Sequence, residues 1–158
     1  ADPRTGLLLL ITAVYCFAYV SAETLPPMFG PALASLRLTT GLTPSELATI
    51  PSILNFGAVF GGLLGGVVFD LERVRCSLPG AHVVLVLGLL ATSVVNALTP
   101  MASTMAFMAF LTLILGIFNG LFRAGANCLI LRVHGEAAAP YMQMLHLFGG
   151  MGRLLAPL

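Results

Sequence analysis

Three ionisable side chains lie within apolar stretches of the sequence, Glu23, Arg123 and Arg153. If the surrounding solvent is lipid, each costs at least about 2.5–3.5 kcal/mol near the bilayer centre, so it must face an opposite charge or a water-filled cavity. Glu23 reads as an interfacial carboxylate if its helix ends at Pro26, or as an inward-facing one if the helix continues. Arg123 lies near a helix end, where it can extend its head group to the interface or contact a solute. Arg153 lies deepest in its apolar run, where it can bind an anionic ligand or pair with Glu23. Uncharged polar groups accompany these three at Asn55, Asn96, Asn119, Asn127, Gln143 and His146. Amides and imidazoles donate and accept at once, which suits a hydroxyl-rich ligand and equally suits hydrogen bonds between helices. Gln143 and His146, three residues apart, share one helix face. Gln143 and His146, with Glu23 and Arg153, are the ligand-binding candidates that residue chemistry marks.

The composition settles which solvent applies. Of 158 residues, 58% are hydrophobic and 8% charged, and mean hydropathy is +1.02. Seven arginines, no lysine and six acidic residues cannot cover the surface of a water-soluble domain of this size. Lipid must be the solvent. A net charge of +1, with basic residues scattered singly, excludes a nucleic-acid surface. Cys16, Cys76 and Cys128 are odd in number and lie in or beside apolar runs, so no disulfide framework is implied. No Ser/His/Asp set, metal-spaced His/Cys cluster or phosphate-cradling glycine loop occurs, and His82, His134 and His146 fall on different segments. An enzyme, a cofactor and a metal site are not expected.

Crossing a hydrocarbon layer of about 30 Å takes about 20 apolar residues in a helix. Five stretches qualify or begin to, at about residues 5–28, 45–69, 81–98, 103–131 and 141–158, which predicts an all-α polytopic transmembrane bundle. Pro26 and Pro27 must kink or end the first helix, and a bent continuation to about Leu36 is the alternative. Thr43 or Ser45 caps the second helix, with Glu46 in its first turn. Residues 70–80 (DLERVRCSLPG) read as a charged loop closed by Pro-Gly, Thr99-Pro100 as a short turn, and residues 132–140 as a further loop. With the N-terminus cytoplasmic, Arg4, Arg73, Arg75 and Arg132 gather on one side against Arg37 on the other. The chain opens without methionine and stops at Leu158 in an apolar run, so a fragment of a longer protein is expected.

Small residues mark the packing faces. Gly57, Gly61 and Gly65 recur every four residues, with Gly62 and Gly66 one step round, and Gly116 and Gly120 repeat the spacing in the fourth helix. In lipid such a stripe lets a neighbouring backbone approach closely.

Two stretches carry a resemblance. Gly66-Val-Val-Phe-Asp70, followed by Arg73 and Arg75, is similar to the opening of the signature between helices two and three of the major facilitator superfamily, although Leu71 stands where a basic residue is usual. Gly30-Pro31, the run from Gly125 through Asn127 to Leu131, Gly135, Pro140 to His146 and Gly152 to Leu158 resemble the sodium-dependent glucose transporter-like branch of that superfamily. The resemblance implies the first five helices of a twelve-helix carrier working by alternating access, with Asn127, Gln143 and His146 on the solute pathway. It departs at Asn55, Arg123 and Arg153, where a basic, an acidic and a small residue are expected. The expected function is transport of a small polar solute, a sugar by resemblance, in symport. The missing half of the carrier and the lipid bilayer are its partners. The alternative is a degenerate carrier serving as a structural subunit of a larger membrane complex.

Overall fold

The computed structural model describes residues 3–75, 78–102 and 104–155. Five α-helices follow one another: α1 (Pro3–Thr40), α2 (Pro44–Arg75), α3 (Leu78–Leu98), α4 (Met105–His134) and α5 (Ala138–Leu155). Short 3-10 turns at Thr99–Met101 and Gly135–Ala137 join the last three. The described residues contain no strand, and they form an all-α helical bundle.

The helix ends follow from local chemistry. Gly41 adopts a left-handed φ of +69° and returns its N–H to Arg37 O at 3.0 Å, a closure that only glycine makes without strain. Two residues later a capping box opens α2: the Thr43 N–H reaches Glu46 Oε2 at 2.8 Å, and the Glu46 N–H reaches Thr43 Oγ1 at 3.4 Å. Thr43, rather than Ser45, is thus the cap, and Pro44 stands at the first helical position, where its missing N–H costs nothing. Gly135, at φ +55°, ends α4 in the same left-handed way.

Three expected boundaries move. Helix α1 does not stop near residue 28 but runs through Pro26, Pro27 and Pro31 to Thr40. In lipid a helix that unravels exposes backbone groups with no water to satisfy them, so proline interrupts less there than it does in water. Residues 70–75 are the last turns of α2 rather than a loop, and α3 begins at Leu78. The side chains of Arg73 and Arg75, and Cys76 altogether, lie outside the described residues. Finally, α4 continues through His134, and α5 starts at Ala138.

The chain divides into two compact units, Ala1–Met28 with Ala126–Leu158, and Phe29–Gly125. The second unit centres on Leu47, Ile50 and Leu54 of α2, Val95 of α3, and Met108, Leu111 and Leu115 of α4. Its α2 and α4 run parallel, backbone against backbone. A Cβ added at Gly61 would fall on the Ile117 carbonyl, and one at Gly120 on the Ala58 carbonyl. One at Gly57 would lie 3.1 Å from Ile117 N, and one at Gly65 2.8 Å from Ala124 Cβ. The glycine stripes of helices two and four are two halves of one contact. Gly66 takes no part, because a Cβ there meets nothing within 4 Å; the packing role expected of it is not supported.

The polarity is inverted relative to a water-soluble domain. Phe56, Val59, Phe60, Leu63, Leu64 and Val67 of α2 are exposed, while Thr92, Thr99 and Thr112 are buried. Each of these threonines donates to the carbonyl one turn back, Gly88, Val95 and Met108, so no hydroxyl hydrogen is left over. Among the described residues four apolar spans of membrane-crossing length result, Gly6–Thr24, Pro44–Asp70, Gly80–Met101 and Met105–Leu155, the last containing both α4 and α5.

Candidate functional site

The polar residues of the first unit gather where α5 lies along α1 and where α4 ends. Helices α1 and α5 run parallel, and two glycines set their separation. A Cβ at Gly149 would lie 2.7 Å from the Tyr19 ring, and one at Gly152 2.5 Å from Val20 O. This contact brings Arg153 to Glu23. Arg153 Nη2 donates to Glu23 Oε2 at 2.6 Å, and Nε donates to the same oxygen at 2.7 Å. The carboxylate side chain is 2% exposed and the guanidinium side chain 53%. Of the two placements open for Glu23, the helix continues and the carboxylate is buried; the ion pair foreseen as one role of Arg153 is formed. A single buried charge here would be costly, and the pair is net neutral.

His146 meets the Tyr19 ring edge-on, with centroids 6.0 Å apart and planes at 83°. Gln143, His146, Gly150 and Arg153 are all exposed and are spaced three, four and three residues apart, so they form one strip along α5. A Cβ at Gly150 would meet nothing within 4 Å. Leu147, Met151 and Leu154 are the exposed apolar residues beside this strip.

A second cluster lies at the α4–α5 turn. The His134 ring stacks on Tyr141 at 3.6 Å and 13°, and its Nε2 lies 2.6 Å from Thr12 Oγ1. Thr12 Oγ1 is also 2.9 Å from Leu8 O. A carbonyl only accepts, so the single hydroxyl hydrogen goes to Leu8 and the imidazole donates from Nε2. His134 therefore carries Nε2–H when neutral. Asn127 stands seven residues, about two turns, before His134 on α4, and its Oδ1 is buried with no hydrogen-bond partner among the described residues.

The structure thus brings Glu23, Arg153 and, through Tyr19, His146 together. Gln143 shares their helix face, and Asn127 lies on α4. Asp70 is exposed at the end of α2, and what it faces at Arg73 and Arg75 lies outside the described side chains. Thr12, Tyr19, Gly149 and Tyr141 were not singled out from the sequence. Only Gly149 left a signal there, a small residue three before Gly152 and four before an intramembrane arginine.

No family model and no solved structure matches the chain. Among curated proteins it is 30% identical over 147 residues to sodium-dependent glucose transporter 1 of Rattus norvegicus, covering 93% of this chain and 29% of that one. The corresponding protein of Danio rerio is 28% identical over 94% of this chain and 24% of its own length. Major facilitator superfamily domain-containing protein 4A of Danio rerio is 26% identical over 93% of this chain and 27% of its own. The chain thus spans between 24% and 29% of the length of these relatives. With its apolar spans, these likenesses support a multi-pass integral membrane protein. It is similar to sodium-dependent glucose transporter 1 and to a major facilitator superfamily domain-containing protein.

Proposed function

We propose that this chain supplies part of the solute pathway of a carrier that moves a small, hydroxyl-bearing solute across the bilayer by alternating access. The observation that carries the reading is the exposed polar strip Gln143, His146, Gly150 and Arg153 on a helix of an apolar span. Lipid cannot satisfy an amide, an imidazole and a guanidinium in a row, so the strip faces water or other polar groups. Together these residues offer donors and acceptors of the kind that hold hydroxyls, with Glu23 fixing the arginine and Asn127 adding a buried acceptor on α4. A sugar is the first solute to test, and sodium the first coupling ion, because both stand in the relatives' name. The arginines near the helix ends, Arg4, Arg73, Arg75 and Arg132 against Arg37, support a cytoplasmic N-terminus. Asp70, Arg73 and Arg75 act as a gating cluster at the cytoplasmic end of α2, and the Gly57, Gly61 and Gly65 seam is the packed surface about which helices move.

The test is counterflow of labelled hexoses and hexuronates into proteoliposomes containing the full-length protein. Accumulation that falls at least tenfold in Gln143→Ala and His146→Ala, with both variants still folded, is the expected result. Failure of every such solute to move would reject the reading and favour a structural subunit.

A further inference from the structure

We propose that Gly150 sets the length of the solute, and that the strip along α5 takes a molecule two sugar rings long, a disaccharide. This rests on the carrier reading and deepens it by naming the substrate class.

Gly149, Gly150 and Gly152 crowd one turn of α5, and packing accounts for two of them. A Cβ at Gly149 would lie 2.7 Å from the Tyr19 ring and one at Gly152 2.5 Å from Val20 O, so α1 leaves no room for a side chain at either position. Gly150 is different: it is exposed, and a Cβ there would meet nothing within 4 Å. Glycine inside a helix costs stability relative to alanine, and no neighbour among the described residues requires it here. What it preserves is bare helix surface between the side chains of His146 and Arg153.

The groups on either side of that surface have hydrogen bonds to give. Gln143 and His146 make none within the described residues, and Arg153 uses Nε–H and one Nη2–H on Glu23, which leaves three N–H groups. A Cβ at Gly149 would lie 3.4 Å from Glu23 Cγ, so the carboxylate that holds Arg153 is level with Gly149. The guanidinium has folded back about one turn toward the helix N-terminus, the direction in which helical side chains lean, and stands beside Gly150. His146 and Gly150 are four residues apart, about 6 Å along the axis, which is about the step from one sugar ring to the next in a disaccharide. One ring lies on His146 within reach of Gln143, and the second lies on the bare backbone at Gly150 beside the guanidinium. A single hexose fills half of this strip and leaves polar groups at the other half unmatched, which makes it the weaker solute. Any side chain at position 150 occupies the place of the second ring.

The experiment is counterflow in proteoliposomes containing the full-length protein, with labelled maltose, sucrose, lactose and glucose offered separately. The expected result is a disaccharide that half-saturates uptake at a concentration at least fivefold below that of glucose. Gly150→Leu lowers uptake of that disaccharide at least tenfold more than uptake of glucose. Gly150→Ala adds one methyl group to open space and keeps the fold, so it carries the test if the leucine variant does not fold; it shifts the disaccharide-to-glucose ratio in the same direction by at least threefold. Gly66→Ala, at an equally open glycine on another helix, leaves the ratio where it is in the wild type. Glucose uptake with no disaccharide uptake, or a ratio that neither Gly150 variant alters, overturns the inference while leaving a carrier. No movement of any of the four sugars overturns the sugar-carrier reading itself.

Discussion

Two helix contacts in this chain solve the same problem with opposite materials. The α2–α4 contact is made of absence: Gly57, Gly61 and Gly65 on one side and Gly116 and Gly120 on the other leave room for backbone to touch backbone. The α1–α5 contact also begins with glycines, at Gly149 and Gly152, yet it is completed by an ion pair and an aromatic edge. The first depends on shape alone, and neither salt nor pH alters it. The second depends on charge balance, so anything that adds or removes a charge reaches it. Lipid gives no hydrophobic drive between helices, and the chain relies on close fit where it needs permanence and on charge where it can respond.

Substitutions can break this contrast in turn. The largest effect is expected from Gly61→Leu, whose side chain has nowhere to go but into the Ile117 backbone; folded protein should vanish from size-exclusion profiles. Even Gly61→Ala should cost about 1–3 kcal/mol in a reversible unfolding titration, and unchanged stability would refute the close approach. Next comes Arg153→Ala, which leaves a buried carboxylate without its guanidinium and costs up to about 3–5 kcal/mol, less by whatever the exposed outer half of the arginine gives up to solvent. The double variant Glu23→Gln/Arg153→Gln should recover most of that loss. A strictly additive double-mutant cycle would show that the two residues are not coupled.

Smaller effects sharpen the comparison. Gly149→Ala meets the side chains of Tyr19 and Glu23 rather than backbone and should cost about 1 kcal/mol, less than Gly61→Ala, so the reverse order would invert the ranking of the two contacts. Nitrogen NMR of the protein in lipid should find neutral His134 as the Nε2–H tautomer, lost in Thr12→Val; a dominant Nδ1–H form would contradict the Thr12 to Leu8 bond. At the bottom of the scale, Gly66→Ala should be silent or stabilising by up to about 1 kcal/mol, because its side chain enters open space and alanine favours the helix.

Most of the fold could be read from the sequence because lipid leaves few alternatives: long apolar runs become helices, four-residue glycine spacing becomes a seam, and a lone carboxylate and a lone arginine find each other. The capping of α2 was legible for the same local reason, since Thr43 and Glu46 lie three apart. The end of α1 was not, because proline rules calibrated in water overstate its power to stop a helix where unravelling has no solvent. Charged residues 70–75 looked like a loop for a related reason: polarity marks the edge of the bilayer, not the end of the helix. The Thr12–His134 contact joins positions 122 apart, and no periodicity within one helix could reveal it.

The distance along the chain between Glu23 and Arg153 has a consequence for biosynthesis. The two lie 130 residues apart, so at cellular translation speeds the glutamate is made roughly ten seconds before its arginine. Helix α1 must therefore enter the membrane while its carboxyl is still waiting, and the neutralisation of that carboxyl belongs to α5.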